Sequence, residues 1–165
     1  MIPPPLYRAR RVEDLPLEEI LSRFKAVLFD VDNTVVPHHG TKMPTPVWEW
    51  MRSLIKSGIV VALASNATQE RVHKLETLFS TEAFVAMKPF PWRIRQWLRT
   101  HGLQPKEVLL VGDQVMTDHL ATLTTGISSA LVDPLTKRDF ILTQWISRPI
   151  ERLIMKGWRG REEKG

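Results

Sequence analysis

Lys25-Ala-Val-Leu-Phe-Asp-Val-Asp-Asn-Thr34 is an apolar run with β-branched residues that ends on two carboxylates. Such a run predicts a buried strand over about residues 25–31, and Asn33 and Thr34 favour leaving it for a turn. Alternate residues of a strand share a side, so Asp30 and Asp32 are expected together at the C-terminal tip. Open α/β sheets place their ligand crevice at such tips. Two acids held there repel each other and need a cation, a proton or both.

The chain downstream repeats the pattern. Ile59-Val-Val-Ala-Leu-Ala64 ends on Ser65-Asn66, a short third strand at about 83–87 ends on Lys88-Pro89, and Val108-Leu-Leu-Val111 ends on Gly112-Asp113. Ser129-Ala-Leu-Val132 makes a fifth strand. Helical patterns lie between them. One opens at Pro46 with Val47, Trp48, Met51, Leu54 and Ile55 inward, and one starts at Thr68 with Val72, Leu75, Leu78 and Phe79 inward. Another opens at Pro91 with Ile94, Trp97 and Leu98 inward, and a last one near 118–125 stops at Gly126. Trp48, Trp92 and Trp97 read as core. Strands alternating with helices at this spacing predict a three-layer α/β fold, a doubly wound parallel sheet of five core strands.

The 165 residues suit one domain. We expect an extended, flexible Pro- and Arg-rich arm at 1–13, a core at 14–136 and a basic, amphipathic helical tail at 137–165. No apolar run reaches the roughly 18 residues of a spanning helix, and the N-terminus lacks a secretory-signal pattern. The absence of cysteine excludes disulfides, thiolate metal sites and a cysteine nucleophile. These features fit the cytoplasm. Of the net charge of +5, the tail carries +4, from eight Lys/Arg against four Asp/Glu. Such a tail suits an anionic partner, a membrane surface or, less well, nucleic acid.

Four strand ends thus present polar groups in order: Asp30/Asp32, Ser65/Asn66, Lys88, and Asp113 with Asp118. Two unit charges about 4 Å apart repel by about 4 kcal/mol at an effective dielectric of 20, so converging acids imply a cation. An all-oxygen set without cysteine suits Mg²⁺ beside a phosphate. A lysine and a Ser/Asn pair would hold the other phosphoryl oxygens. One carboxylate is then free to attack phosphorus.

Phe-Asp30-Val-Asp32-Asn-Thr34, Ser65-Asn66, Lys88-Pro89 and Gly112-Asp113-Gln-Val-Met-Thr-Asp118 resemble the four ordered motifs of the haloacid dehalogenase (HAD) phosphatase superfamily, with a spacing like subfamily IIIA. Within it, the chain resembles a bacterial group related to the mitochondrial phosphatidylglycerophosphate phosphatase, over about residues 14–158. The resemblance implies a HAD-type Rossmann-like fold and catalysis through an aspartyl-phosphate. It makes Asp30 the nucleophile and Asp32 the acid that protonates the leaving alkoxide and then activates water. It gives Thr34, Ser65, Asn66 and Lys88 to the substrate phosphate. Asp30, the Asp32 backbone carbonyl and Asp113 would hold Mg²⁺, with Asp118 acting through water or Lys88. His119-Leu-Ala-Thr-Leu-Thr-Thr125 departs from the small residues that commonly follow the last motif.

Relatives often insert a cap domain after the first motif or between the second and third. Residues 35–64 and 67–87 leave room for a loop and one helix each, so no cap is expected. An open site suits a large substrate: a lipid head group, a protein or a nucleic-acid end. Trp145 and Trp158 on the apolar side of the basic tail fit an interfacial segment at the inner membrane face, and they equally fit a helix packed on the sheet. His38 and His39 have no obvious co-ligands and are expected exposed or near the leaving group. The reading is a phosphatidylglycerophosphate phosphatase. A polynucleotide or protein phosphatase and a non-catalytic basic adaptor are the alternatives.

Overall fold

The computed structural model describes residues 2–136, 154–156 and 158. In chain order its main elements are β1 (Tyr7–Ala9), α1 (Leu17–Arg23), β2 (Ala26–Phe29), α2 (Thr45–Lys56), β3 (Val60–Ser65) and α3 (Gln69–Phe79). Then follow β4 (Ala83–Val85), α4 (Trp92–Thr100), β5 (Val108–Gly112), a π-helical turn at Val115–His119, α5 (Leu120–Thr125) and β6 (Ser128–Val132). The strands form one sheet in the order β1-β6-β5-β2-β3-β4, every neighbouring pair parallel.

Alternation along β2 splits the core into two layers. Val27 and Phe29 pack with Ile20 of α1, Met51 and Leu54 of α2 and Leu75 of α3. Ala26 and Leu28 pack with Ile94, Trp97 and Leu98 of α4 and Ala121 of α5. Both faces of the strand are covered, which is why it reads as a continuous apolar run. Each large aliphatic side chain fully buried this way contributes about 1.5–3 kcal/mol. From β2 the chain winds outward through β3 to β4, then returns to the other side of β2 as β5. The loops after β2 and β5 therefore diverge and open a crevice between these two tips. Residues 35–64 hold one helix, α2, and residues 67–87 hold α3, so neither gap carries a cap.

The arm expected to be flexible is instead part of the sheet. Tyr7–Ala9 pair with Ala130–Val132 as a sixth strand, beyond the five expected. Val12 is 1% exposed and sits in the core. A run of three residues is too short to stand out as a strand, and Arg8 and Arg10 disguise it as a solvated segment. Earlier still, the Pro3 carbonyl accepts from His119 Nε2 at 2.7 Å, which leaves Nδ1 to accept from the Ser129 hydroxyl at 2.8 Å. Burial holds the pKa of His119 below its ordinary value, in keeping with that neutral ring.

Three helix faces also differ from expectation. On α2 the buried set is Val47, Trp50, Met51 and Leu54, while Ile55 is exposed. The helix is rotated so that Trp50 takes the inward position read for Trp48. Leu78 and Trp92, read as inward, are about half exposed. Of the tail, Trp158 is buried against Val115 and Leu131, and its Nε1 donates to the Ile2 carbonyl at 2.8 Å. Of the two arrangements open for it, Trp158 follows packing on the core. Trp145 and the rest of the tail's apolar and basic stripes, Ile154 and Lys156 apart, lie outside the described residues.

Candidate active site

The end of β2 sets the geometry. Asp30 N still donates to Val111 O of β5 at 2.8 Å, which fixes Asp30 on the lip of the crevice. The chain then turns at once. The amides of Thr34, Val35 and Val36 all reach back to the Val31 carbonyl. Asn33 adopts a left-handed φ of 65°, which Asn tolerates better than most residues. Asp30 and Asp32 both line the crevice that opens at this tip.

Four side chains converge at the crevice. Lys88 Nζ lies 2.5 Å from Asp30 Oδ1 and 2.6 Å from Asp118 Oδ1, and the lysine is 4% exposed. Asp113 stands across from Asp30, and the Thr34 hydroxyl lies 3.2 Å from both Asp30 Oδ2 and Asp113 Oδ1. Carboxylate oxygens of Asp30, Asp113 and Asp118 all lie within 4.8 Å of one another. Gly112 makes room for this: a Cβ on it would stand 2.3 Å from Asp118 Cγ. Any side chain there would drive Asp118 out of the cluster.

The electrostatics are unbalanced. One ammonium faces three carboxylates, a deficit of two positive charges if all are ionised. Burial, then Asp118, raise Asp30 from its ordinary 3.8 to about 6, against the pull of Lys88. Burial, then Asp30 and Asp118, push Asp113 well up. For Lys88, burial works against the charged form, but Asp118 and Asp30 outweigh it and hold the pKa above its ordinary value. Asp113 Oδ2 is buried without a hydrogen-bond partner, although buried polar atoms ordinarily have one. A hard divalent cation with oxygen ligands fits both the orphaned atom and the missing charge. Asp30, Asp113 and Asp118 are the side chains placed to hold it.

This imbalance has a measurable consequence. With a chelator present, folded Asp30 keeps a proton that the unfolded chain has released, between its ordinary 3.8 and about 6. The native state then binds more protons than the unfolded state, so stability falls as pH rises through that window. Thermal melts across it should show the fall. Added Mg²⁺ should raise the melting temperature, and by more at the upper end than at the lower. A Mg²⁺ effect that does not grow with pH would contradict this account of the cluster.

Other residues singled out from the sequence take different positions. Asp32 lines the crevice, but its carboxylate stands outside the acid cluster. Its Oδ1 accepts from Arg71 Nη2 and from the His39 amide, both at 2.8 Å. The crowding carboxylates expected around it are replaced by a guanidinium. Asn66 lines the cleft and also grips the lysine: its Oδ1 accepts from Lys88 N and its Nδ2 donates to Lys88 O, each at 2.7 Å. That clamp fixes the backbone of the lysine. Thr34 is 1% exposed and bridges carboxylates. Ser65 Oγ accepts from Ala67 N at 3.1 Å, leaving its hydroxyl hydrogen to point elsewhere. A cleft of about 250 Å³ is lined by Asp30, Asp32, Ser65 and Lys88 together with His38 and His39.

Arg71 was missed from the sequence. It sits in the first turn of α3, where an arginine reads as a solvated face. It also donates to the Gly40 carbonyl at 3.0 Å. One guanidinium thus ties Asp32 to the loop that carries the two histidines. Only the folded arrangement of that loop over α3 reveals the contact.

A HAD-hydrolase-like family model matches residues 85–137, the stretch that holds Lys88, Asp113 and Asp118. The chain is 29% identical over 132 residues to the probable phosphatase YqeG of Bacillus subtilis, covering 79% of this chain and 76% of that one. It is 26% identical over 154 residues to phosphatidylglycerophosphate phosphatase 1, chloroplastic/mitochondrial, of Arabidopsis thaliana, covering 85% of this chain and 44% of that protein. Among solved structures, the cobalt-bound deoxy-D-mannose-octulosonate 8-phosphate phosphatase of Haemophilus influenzae shares the fold. Its TM-score is 0.54 at 17% identity, over 67% of this chain and 70% of the other. The family model over residues 85–137 and the similarity to a probable phosphatase point to HAD-like hydrolases, and the parallel sheet is the fold shared with the solved phosphatase.

Proposed function

We propose that the protein is a Mg²⁺-dependent phosphomonoesterase that works through an aspartyl-phosphate on Asp30. The observation that carries this reading is the convergence of Asp30, Asp113, Asp118 and Lys88 at the crevice, with Asp113 Oδ2 buried and unpartnered. A carboxylate beside an ammonium and a cation site is a nucleophile whose charge is offset as a phosphate dianion approaches. Mg²⁺, when bound by the acid cluster, would supply charge neutralisation for the phosphoryl oxygens.

Asp30 attacks phosphorus and the bond to the ester oxygen breaks, so the phosphoryl group passes to the carboxylate. Asp32, at the mouth of the cleft, gives a proton to the departing alkoxide. It then takes one from the water that hydrolyses the aspartyl-phosphate, releasing inorganic phosphate and restoring Asp30. Lys88 offsets negative charge on Asp30 and on the phosphoryl group, and the Ser65 hydroxyl donates to a phosphoryl oxygen. Asn66 positions Lys88 through its backbone clamp.

Arg71 positions Asp32 for the proton transfer. Arg71→Ala is expected to slow hydrolysis of an alkyl phosphate, whose leaving group needs a proton. The loss should exceed that on p-nitrophenyl phosphate by about tenfold or more. Equal losses on the two esters would show that Arg71 does not act through Asp32.

The substrate that the similarity to the Arabidopsis enzyme supports is phosphatidylglycerophosphate, a phosphomonoester on a lipid head group. The capless, open site is compatible with it. Phosphate release by the purified protein tests both levels of the proposal. The panel is phosphatidylglycerophosphate in vesicles, a 5′-phosphorylated oligonucleotide, a phosphopeptide and p-nitrophenyl phosphate, each with Mg²⁺ or chelator. Mg²⁺-dependent release, with the highest kcat/KM on the lipid, is expected. Release from the oligonucleotide or the peptide but not from the lipid would move the substrate to that class. Release from none would overturn the function.

A further inference from the structure

Among the described residues, eight large apolar side chains are exposed; Met87, Phe90 and Trp92 flank Lys88 in the chain, and Leu123 is next to Thr124, which bonds the same turn. Three belong to the turn from β4 to α4, immediately around the lysine. Phe90 and Trp92 are 52% and 49% exposed and stack on each other, ring centroids 4.7 Å apart at 12°. Leu123 joins from α5, because its neighbour Thr124 donates from Oγ1 to the Pro89 carbonyl at 3.1 Å. The Thr124 carbonyl in turn accepts from Arg95 Nη2 at 2.6 Å. Met87 is 44% exposed and has a left-handed φ of 55°, a conformation rare for a residue of its kind. Residues singly exposed need no explanation, but a cluster of this kind does.

The surrounding charge indicates what covers it. From Ala83 to Lys106 the chain has Lys88, Arg93, Arg95, Arg99 and Lys106 and no Asp or Glu. Lys88 is spent inside the site. Arg93, Arg95 and Arg99 make no ion pair among the described residues. Stacked aromatics flanked by unpaired arginines are the pattern of a surface that enters the head-group layer of an anionic membrane. The turn after β4 lies on the same sheet edge as Asp30, Ser65 and Asp113, so a bilayer held there would face the cleft.

We propose that Met87, Phe90, Trp92 and Leu123, with Arg93, Arg95 and Arg99, form the face by which this protein docks on an anionic phospholipid bilayer beside its active site. The inference rests on the phosphatase reading for its purpose, but not for the binding itself. It also places membrane contact on the β4–α4 turn, whereas the sequence suggested the tail.

The test uses the full chain and vesicles of phosphatidylcholine with and without phosphatidylglycerol. The protein should sediment with the mixed vesicles and not with phosphatidylcholine alone. Phe90→Ser/Trp92→Ser should bind about tenfold more weakly or less, given the apolar area lost. It should still hydrolyse p-nitrophenyl phosphate at the parent rate, which also shows that it folds. The conservative Trp92→Phe should bind like the parent, and Arg95→Glu/Arg99→Glu should lose binding to mixed vesicles. A parent that does not bind vesicles, or a serine double variant that binds as well as the parent, would overturn the inference. So would vesicle binding unchanged in that variant with a dimer becoming a monomer, which would make the patch a contact between copies. Vesicle binding by a parent inactive on every ester would defeat the phosphatase reading and leave the docking face standing. Soluble-ester hydrolysis without vesicle binding would do the reverse.

Discussion

Asp30→Asn is expected to lower phosphate release by about 10⁴-fold or more while the protein remains folded. An amide of the same shape has no anionic oxygen to attack phosphorus. Its carbonyl oxygen can still accept from Lys88 Nζ or Thr34 Oγ1, the two partners of the native carboxylate. The substitution also removes one of three mutually repelling acids. The strong pairing lost with Lys88 and the repulsion relieved from Asp113 and Asp118 therefore act in opposite directions, and the net change in stability is small. Phosphate release and a thermal melt on the same preparation check both parts. Activity within tenfold of the parent in a folded variant would remove Asp30 from the nucleophile's role.

Lys88→Met should be the most destabilising change at the site. The side chain is almost wholly buried and pairs with two carboxylates at once. Methionine keeps the volume but leaves both acids without their counter-charge. Breaking a buried pair from one side costs about 3–5 kcal/mol, a fall in melting temperature of roughly 10 °C for a chain of this size. The loss should shrink at low pH, where the carboxylates are protonated, and on addition of Mg²⁺, which supplies charge to the same cluster. Melts at neutral and acidic pH, with chelator and with Mg²⁺, measure all of this. A variant as stable as the parent at neutral pH in chelator would mean that the acids are not a shared electrostatic unit.

The sheet was legible because its strands are buried on both faces and read as short apolar runs that end on polar residues. The order of those ends placed Asp30, Lys88, Asp113 and Asp118 on one edge, and the structure brings them together there. Asp32 was read with them from strand alternation; it lines the same cleft as Asp30, with its carboxylate outside the acid cluster. The Asp32 carboxylate accepts from Arg71, a contact between residues 39 apart that local sequence does not announce. Asn66 was read as a phosphate ligand from its position beside Ser65; it lines the cleft, and its clamp on the Lys88 backbone was not foreseen. A side-chain amide carries no mark in sequence of which partner it will take. Strand β1 was hidden by its brevity and its arginines, and its partner β6 lies at the far end of the core in sequence. Trp92 was read as core from helical spacing alone, and it lies in the first turn of α4, outside the buried stripe of Ile94, Trp97 and Leu98.

The arrangement at the crevice divides labour by environment. Asp30 and Asp113 sit in an acid cluster that fits a cation, whereas Asp32 lines the same cleft on an arginine that also bonds the Gly40 carbonyl. Under the proposed mechanism that separation would let one acid act as nucleophile and another handle protons without competing for the same charge.

The central claim is that the phosphoryl group passes through Asp30. Quenching the enzyme in acid during turnover of a phosphomonoester in Mg²⁺, followed by peptide mass spectrometry, reads this directly. The account predicts one phosphoryl adduct, on Asp30, lost when chelator replaces Mg²⁺ and absent in Asp30→Asn. Steady phosphate release with the adduct on another residue would contradict it.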